Sequence, residues 1–303
     1  MGKTYATPMA FRTALNQASK KLAQQTGMNV SDVTRIFYFN RLSSRVFTHD
    51  PDGWLIKGGQ ALLVRYRGAA RLSGDIDLQT ASSTSPDQAR QKILEAAALD
   101  LGDFLRFAPG RHTTASDNDR GCTQHFQVYL GPTRVDSIKV DISISRQLAG
   151  TPEIRELSSA IDIPWPVDWP TVRLYPVIDH LTDKICALYE RHGEAGSSRY
   201  RDLADLLLIS QQEKIDGPTA SHALHQEAAR RQTHGIDITL PATFQSPGPE
   251  WTDQYPAAAS LVIGLDGCHT LPQAASAAHT FLTPLLQNTA HSTWNPDRRT
   301  WAA

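Results

Sequence analysis

At 303 residues the chain is long enough for two ordinary domains, or for one large domain with a helical extension. Hydrophobic residues make up 40% and charged residues 20%, which excludes a disordered or fibrous polymer. A formal net charge of −1 excludes a chain that grips nucleic acid by its overall field, so any such contact has to come from local basic patches. Residues Met1 to Ala10 carry no apolar core and no cleavage-site pattern. The longest apolar run, Leu203 to Ile209, is broken by Asp205 and falls far short of the ~20 residues of a membrane span. Three cysteines, Cys122, Cys186 and Cys268, are odd in number and widely spaced, which argues against a disulfide framework or a structural zinc site. These features read as a cytoplasmic protein in a reducing compartment, with no membrane partner.

In chain order, Phe11, Leu15, Ala18 and Leu22 predict a helix over Pro8 to Gln25, ended by Gly27. A second helix, capped by Ser31 or Asp32, runs to about Phe47. Trp54 to Lys57 is a short strand, followed by Gly58-Gly59 and a helical stretch from Gln60 to Tyr66. Ser73 to Gln79 alternates strictly, with Asp75, Asp77 and Gln79 on one side and Ile76 and Leu78 on the other. Asp87 to Phe107 reads as helix, and Thr123 to Leu130 with Arg134 to Ser145 as a hairpin. In the second hairpin strand Ile138, Val140, Ile142 and Ile144 share one face, and Lys139, Asp141 and Ser143 the other. Pro164 to Pro170, with three prolines and two tryptophans, looks like a rigid connector. Helical patterns then cover Val177 to His192, Tyr200 to Gln212, Pro218 to Arg231 and Leu271 to Leu286, interrupted by a Pro/Gly-rich stretch from Pro241 to Pro256. The expected division is residues 1–165 and a mainly helical 171–303.

Chemistry concentrates around Asp75-Ile76-Asp77. Aspartates two apart on a strand point to one face, close enough to share divalent ions, and Asp141 could complete the set from a neighbouring strand. Taken alone, such a pair is more often a solvated strand face. Gly58-Gly59, after a strand and at the opening of a helix, offers backbone N–H groups to phosphate, though most such turns are only turns. Strand, Gly-Gly, helix and acidic strand in that order are more specific than any one part.

Five blocks in order then resemble the AbiEii-like nucleotidyltransferase toxins of type IV toxin–antitoxin systems, within the DNA polymerase β-like superfamily. They are Lys57-Gly58-Gly59-Gln60-Ala61-Leu62; Arg71-Leu72-Ser73-Gly74-Asp75-Ile76-Asp77-Leu78; Ile138-Lys139-Val140-Asp141-Ile142-Ser143; Leu181 to Leu188; and Arg199 to Leu206. The resemblance covers roughly residues 8 to 210, with no family motif recognised after about 215. The wider superfamily usually has Gly-Ser where Gly58-Gly59 stands, which removes a serine hydroxyl from the phosphate grip.

The resemblance implies an α+β fold, in which a DNA polymerase β-like nucleotidyltransferase domain (a mixed sheet flanked by helices) is followed by a mostly helical domain that completes the active site. It implies transfer of a nucleoside monophosphate from an NTP to an RNA acceptor, the tRNA 3' end being favoured, with a block of translation. It also implies two Mg²⁺ ions, or Mn²⁺, on Asp75, Asp77 and Asp141, and a cognate AbiEi-like antitoxin acting with or without stable binding. Lys57, Gly58, Gly59, Arg71 and Ser73 would hold the nucleotide, and Asp75, Asp77, Lys184 and Asp202 would carry the catalysis.

From the residues alone, Lys184 lies at the edge of an apolar helix arc and could merely snorkel past it, with Asp183 pointing away. Asp202, favoured over Asp205, reads from the residues as a salt-bridge partner of Arg199, Arg201 or Lys184, while the resemblance implies that it positions Lys184 or accepts a proton. Arg65, Arg67 and Arg71 are solvated or hold phosphates or a polynucleotide end. His125, His180 and His192 read as structural. Two alternatives stay open: nucleotidylation of a protein or small-molecule hydroxyl, and an inactive nucleotide-binding module.

Overall fold

In the computed structural model, residues 5–80, 83, 85–114, 121–144, 147–161, 163, 169–191 and 197–302 are described. The elements in chain order are α1 (Pro8–Thr26), α2 (Val30–His49), β1 (Trp54–Ile56), α3 (Gly58–Tyr66), β2 (Ile76–Thr80), α4 (Pro86–Ala97), β3 (Leu105–Thr114), β4 (Gly121–Leu130), β5 (Thr133–Ile144), β6 (Glu153–Glu156) and β7 (Thr171–Leu174). There follow α5 (Val177–Tyr189), α6 (Tyr200–Gln212), β8 (Ile215–Asp216), α7 (Gly217–Thr233), α8 (Trp251–Ala259), α9 (Leu271–Leu286), β9 (Thr293–Asn295) and β10 (Thr300–Trp301). They sort into two compact units. The first takes the described residues of Met1–Arg65, Leu72–Arg146 and Pro152–Leu174; the second takes Tyr66–Arg71, Gln147–Thr151 and Tyr175–Ala303.

The first unit is α+β, a mixed seven-stranded sheet in the order β3-β4-β5-β2-β1-β7-β6 flanked by helices. β2 runs parallel to β5, and β1 parallel to β7, while β1–β2, β3–β4, β4–β5 and β6–β7 are antiparallel. α1 starts on Pro8 behind an Thr7 cap and ends where Gly27 adopts φ +73, an ending glycine tolerates without strain. Its Phe11 and Leu15 join Phe37, Leu42 and Val46 of α2 and Ile76, Leu78, Ile138, Val140 and Ile142 of the sheet in one core. Alternation is strict along β4, where Cys122, Gln124, Phe126, Val128 and Leu130 are buried and the intervening residues half-buried.

The helix expected over Asp87 to Phe107 stops at Ala97, and its last part is β3. Gly102 and Phe104 both take positive φ, +68 and +55, which no continuing helix allows, and Leu105 and Phe107 are buried on either side of exposed Arg106. Between them Asp103 is pulled inward by two arginines of α2. Arg41 Nε donates to Asp103 Oδ2 at 2.7 Å, and Arg45 forks onto both oxygens at 2.9 and 2.5 Å. All three side chains are fully buried. Arg45 also donates to the carbonyls of Leu99 and Leu105, so one guanidinium sews the loop and the start of β3 to α2.

Other elements depart from the expected bounds. β2 begins at Ile76, so Asp75 precedes it, and Gln79 is buried rather than on a solvated face. The short strands β6 and β7, and β8 to β10, carried no expectation. The Pro/Gly-rich stretch from Pro241 ends inside α8, which holds Pro256. Of the expected Pro164–Pro170 connector, residues 164–168 lie outside the described residues, as does His192.

The second unit is mainly helical, with α6 and α9 at the expected bounds, and a three-stranded sheet in the order β10-β9-β8. α6 buries nine consecutive residues, Asp202 through Ser210, and so is the unit's central helix. Among the described residues no helix is long and apolar enough to cross a membrane.

Breaking the buried Arg41–Asp103–Arg45 network tests its role. Burial works to raise the Asp103 pKa, but the hydrogen bonds and charges of Arg45 and Arg41 outweigh it and hold the carboxyl below its usual range. A depressed folded-state pKa contributes stability that is full above the ordinary carboxylate range and is lost as pH falls below it. Asp103→Ala leaves two buried guanidiniums uncompensated and should cost about 3–5 kcal/mol in urea unfolding at neutral pH. The difference from wild type should shrink as the pH is lowered into the acid range.

Candidate active site

Parallel pairing of β2 with β5 sets Asp77 directly beside Asp141, and Asp75 stands just before β2 on the same side. One carboxylate oxygen from each of the three lies within 4.8 Å of the others, and all three residues are half-buried. Neighbours fix their orientation. Thr123 of β4 donates to Asp141 Oδ1 at 2.5 Å, and Ser73 donates to Asp75 Oδ1 at 3.3 Å.

Three carboxylates at this separation repel, and the charge has to be met by a cation. Lys139, two residues before Asp141 on the same face of β5, supplies one. Its Nζ is 2.5 Å from Asp141 Oδ2 and 3.4 Å from Asp75 Oδ2. The hydrogen bond to Asp141 comes first among the influences that raise the Lys139 pKa, with the charges of Asp141 and Asp75 adding to it against burial. An all-oxygen set of carboxylates, without histidine or thiolate, suits a hard divalent cation, and the ammonium already marks the cluster as a place for positive charge. Asp75, Asp77 and Asp141 are the residues that would hold such an ion.

The glycine turn adjoins this cluster. Lys57 N–H donates to the Asp77 carbonyl at 2.8 Å, carrying the β1–β2 ladder to the edge of the turn. Gly58 has φ +57, and a Cβ there would lie 1.8 Å from Asp77 Oδ2, so conformation and space both require glycine. A Cβ on Gly59 would lie 3.0 Å from Ser73 Oγ. α3 starts at Gly58, so its positive dipole end lies beside the Asp77 carboxylate.

The expected residues of the helical half gather within the second unit. Lys184 Nζ donates at 2.7 Å to Asp202 Oδ1 and at 2.7 Å to Asp205 Oδ2. Arg71 forks onto Asp205 at 3.0 and 2.8 Å, and Arg199 lies 3.7 Å from Asp202. Burial alone would lower the Lys184 pKa, but Asp202 and Asp205 outweigh it and hold it above its ordinary value. Burial likewise works to raise Asp202, and Lys184 beside it keeps that carboxyl below the usual range.

Asp205 joins Asp202, the aspartate favoured from the sequence, in clamping the same ammonium. Asp183 turns to Arg231 at 3.0 Å, away from Lys184. Arg65, left open as solvated or as holding phosphate, has a side chain that is almost wholly buried and pairs with Glu153 at 2.8 Å. Arg67 is exposed. His180 is buried edge-on against Tyr175, as a structural histidine would be.

Sequence reasoning assigned no role to Lys139 or Thr123. The signal for Lys139 was present, since it shares the Asp141 face of β5. Thr123 needed the β4–β5 register, which pairs it with Asp141.

Two substitutions probe the site. Lys139→Met keeps the aliphatic stem and removes the ammonium, and should cost about 1 kcal/mol or less when divalent ions are absent. Added Mg²⁺ should then stabilise this variant more than wild type in thermal unfolding, because in wild type the ion has an ammonium to displace. Equal shifts in both proteins would show that Lys139 does not share the cation's place. Gly58→Ala should destabilise by about 1–3 kcal/mol from backbone strain and push the Asp77 carboxylate aside. Mg²⁺ affinity by calorimetry should fall with it.

The comparisons with known proteins bear on this geometry. The family model described as nucleotidyl transferase AbiEii toxin, type IV TA system, matches residues 41–272, which contain the three carboxylates, the glycine turn and the Lys184 cluster. No curated protein sequence matches the chain. Among solved structures, the nucleotidyltransferase toxin MenT4 from Mycobacterium tuberculosis H37Rv superposes with a TM-score of 0.49 at 16% identity, over 89% of this chain and 97% of its own. A likeness of that degree assigns neither residues nor substrate. The extent of the family match decides the matter: the chain belongs to the AbiEii nucleotidyl transferase toxins of type IV toxin–antitoxin systems.

Proposed function

We propose that the chain transfers a nucleoside monophosphate from an NTP to the 3' hydroxyl of an RNA, a tRNA acceptor end above all, and so blocks translation. Family membership carries the coarser statement, a nucleotidyltransferase toxin with an NTP substrate, a divalent metal and an antitoxin partner. The observation that supports the reading most is the convergence of Asp75, Asp77 and Asp141 beside a glycine turn that faces them.

In the proposed reaction the acceptor hydroxyl oxygen bonds to the α-phosphorus as the bond to the β-phosphate bridging oxygen breaks. Pyrophosphate leaves, and the hydroxyl proton passes to a carboxylate of the cluster. Divalent ions, two Mg²⁺ in this reading, supply neutralisation of triphosphate charge when bound to Asp75, Asp77 and Asp141. The N–H groups of Gly58 and Gly59, with Lys57 and Ser73 beside them, orient the phosphates. In this reading Lys184, held by Asp202 and Asp205, and Arg71, all of the second unit, act on the nucleotide phosphates. An AbiEi-like antitoxin opposes the activity in the cytoplasm, where tRNA and NTPs are found.

The formal net charge of −1 favours a second acceptor class, a protein or small-molecule hydroxyl, over a bulk polyanion. One assay separates the two. Purified protein with Mg²⁺ is given each α-labelled NTP in turn, with total tRNA in one arm and total protein in the other. Label should enter tRNA. Asp75→Ala and Asp77→Ala should each reduce it on the order of 100-fold or more and relieve growth arrest on expression. Lys184→Ala should also abolish labelling, with folding checked by circular dichroism because Lys184 neutralises two buried carboxylates. Wild-type toxicity in Asp77→Ala, with normal folding, would sink the assignment.

A further inference from the structure

The side of β3, β4 and β5 that faces away from the core bears a pattern that the transfer chemistry does not use. Thr123, His125, Gln127 and Tyr129 of β4 lie on that side, half-buried, while their neighbours in sequence point into the core. The register sets Thr123 against Asp141 and His125 against Lys139 on β5, and Tyr129 against Arg106 on β3. The face is therefore continuous with the acidic cluster at its Thr123 end. From Thr123 to Tyr129 it extends six residues, about 20 Å at the rise of a strand.

Its charge is one-sided. The described residues of the three strands hold four Lys and Arg against two acids, and three of the four, Arg106, Arg111 and Arg134, stand outside the pairing of Lys139 with Asp141 and Asp75. Of those acids, Asp136 is held by Arg35 of α2 at 2.9 Å, and Asp141 belongs to the acidic cluster with Lys139 on it. His125 feels this field: burial, then the charges of Arg111 and Lys139, hold its pKa below the ordinary value. At the far end the Arg106 guanidinium lies 4.1 Å from the centre of the Tyr129 ring, and Arg106 is exposed. A planar cation stacked on a phenol makes a flat platform with positive charge, the surface an unpaired base and its phosphate fit. A duplex hides its base faces and would use little of it.

We propose that this face of β3–β4–β5 is the docking track of the acceptor. A single-stranded nucleic-acid 3' end lies along it, with bases against the Arg106–Tyr129 platform and His125, and with its terminal hydroxyl at the Thr123–Asp141 end. This deepens the transfer reading and rests on it for the position of the reacting hydroxyl, but binding to the track is measured without transfer.

The test uses the full chain without NTP or divalent ions, and fluorescence anisotropy of a short fluorescein-labelled single-stranded RNA, with a blunt duplex RNA as comparison. Wild type should prefer the single strand. Tyr129→Ala should weaken it roughly 10-fold, while Tyr129→Phe, which keeps the ring, should bind as wild type. Arg106→Gln should weaken binding and flatten its salt dependence. Binding of a fluorescent NTP in Mg²⁺ should be the same in wild type and Tyr129→Ala.

Equal affinity of Tyr129→Ala and wild type for the single strand would overturn the track, as would a preference for duplex. Labelling of protein by a chain that binds no RNA would overturn it too. If no transfer occurs to any acceptor, the enzymatic reading fails, while the anisotropy series still decides whether this face binds RNA.

Discussion

Parallel pairing of β2 with β5 is the constraint on which the site depends. The register that sets Ile76 beside Val140 and Leu78 beside Ile142 in the core necessarily sets Asp77 beside Asp141 on the opposite face. Because strand side chains alternate, a slip of one residue would bury Asp141 and expose the isoleucines, so hydrophobic burial enforces the meeting of the carboxylates. Their mutual repulsion is then a local cost of a globally favourable pairing. Lys139 offsets part of it, and its position two residues from Asp141 follows from the same alternation. Gly58 is constrained by the same pairing, since the Asp77 carboxylate occupies the space of any side chain there.

Both units anchor loops and helices with buried ion networks. In the first, Arg41 and Arg45 of α2 hold Asp103 and thereby fix where β3 begins. In the second, Arg231 of α7 meets Asp183 and Glu190 around α5 and Glu227 on its own helix. Such networks return little net stability over apolar packing, but they are costly to break and leave few alternative arrangements. The C-terminal segment relies on aromatic contact instead, with Phe281 of α9 stacked on Trp301 at 5.8 Å and tilted on Trp294 at 4.7 Å.

Much of this was legible in the sequence where periodicity and local signals agree. α1 has a Pro start and a Gly stop, α6 has an uninterrupted helical pattern, and α9 keeps its apolar period past the interior Pro284. The Asp75-Ile76-Asp77 alternation and the preceding Gly-Gly turn gave the cluster its place. β3 was misread because most of Asp87 to Phe107 is helix-compatible and Gly102 was passed over, while the turn at Gly102 and Phe104 is held by Asp103 reaching two arginines some 60 residues earlier. β6 and β7 are four residues each, too short for a period to show, and exist because β1 offers an edge. Lys139 was seen on the right face but given no role, because its place between Asp141 and Asp75 depends on the β2–β5 pairing that brings the segment before β2 alongside.

The two lysines of the proposed machinery differ in a way that bears on mechanism. Lys139 is 42% exposed on its side chain and tied to carboxylates that remain half-exposed, so a divalent ion can take its place while the ammonium turns to solvent or to phosphate. Lys184 is 9% exposed and clamped by two carboxylates, one of them also held by Arg71. Arg71 and Arg199 stand on the same two carboxylates, yet the Lys184 ammonium itself is committed to Asp202 and Asp205 while the clamp is intact. A phosphate would have to exchange with Asp202, whose side chain is 12% exposed, rather than with fully buried Asp205. In that arrangement Asp205 is the fixed anchor and Asp202 the exchangeable partner, so the two aspartates of α6 have distinct parts to play on one lysine.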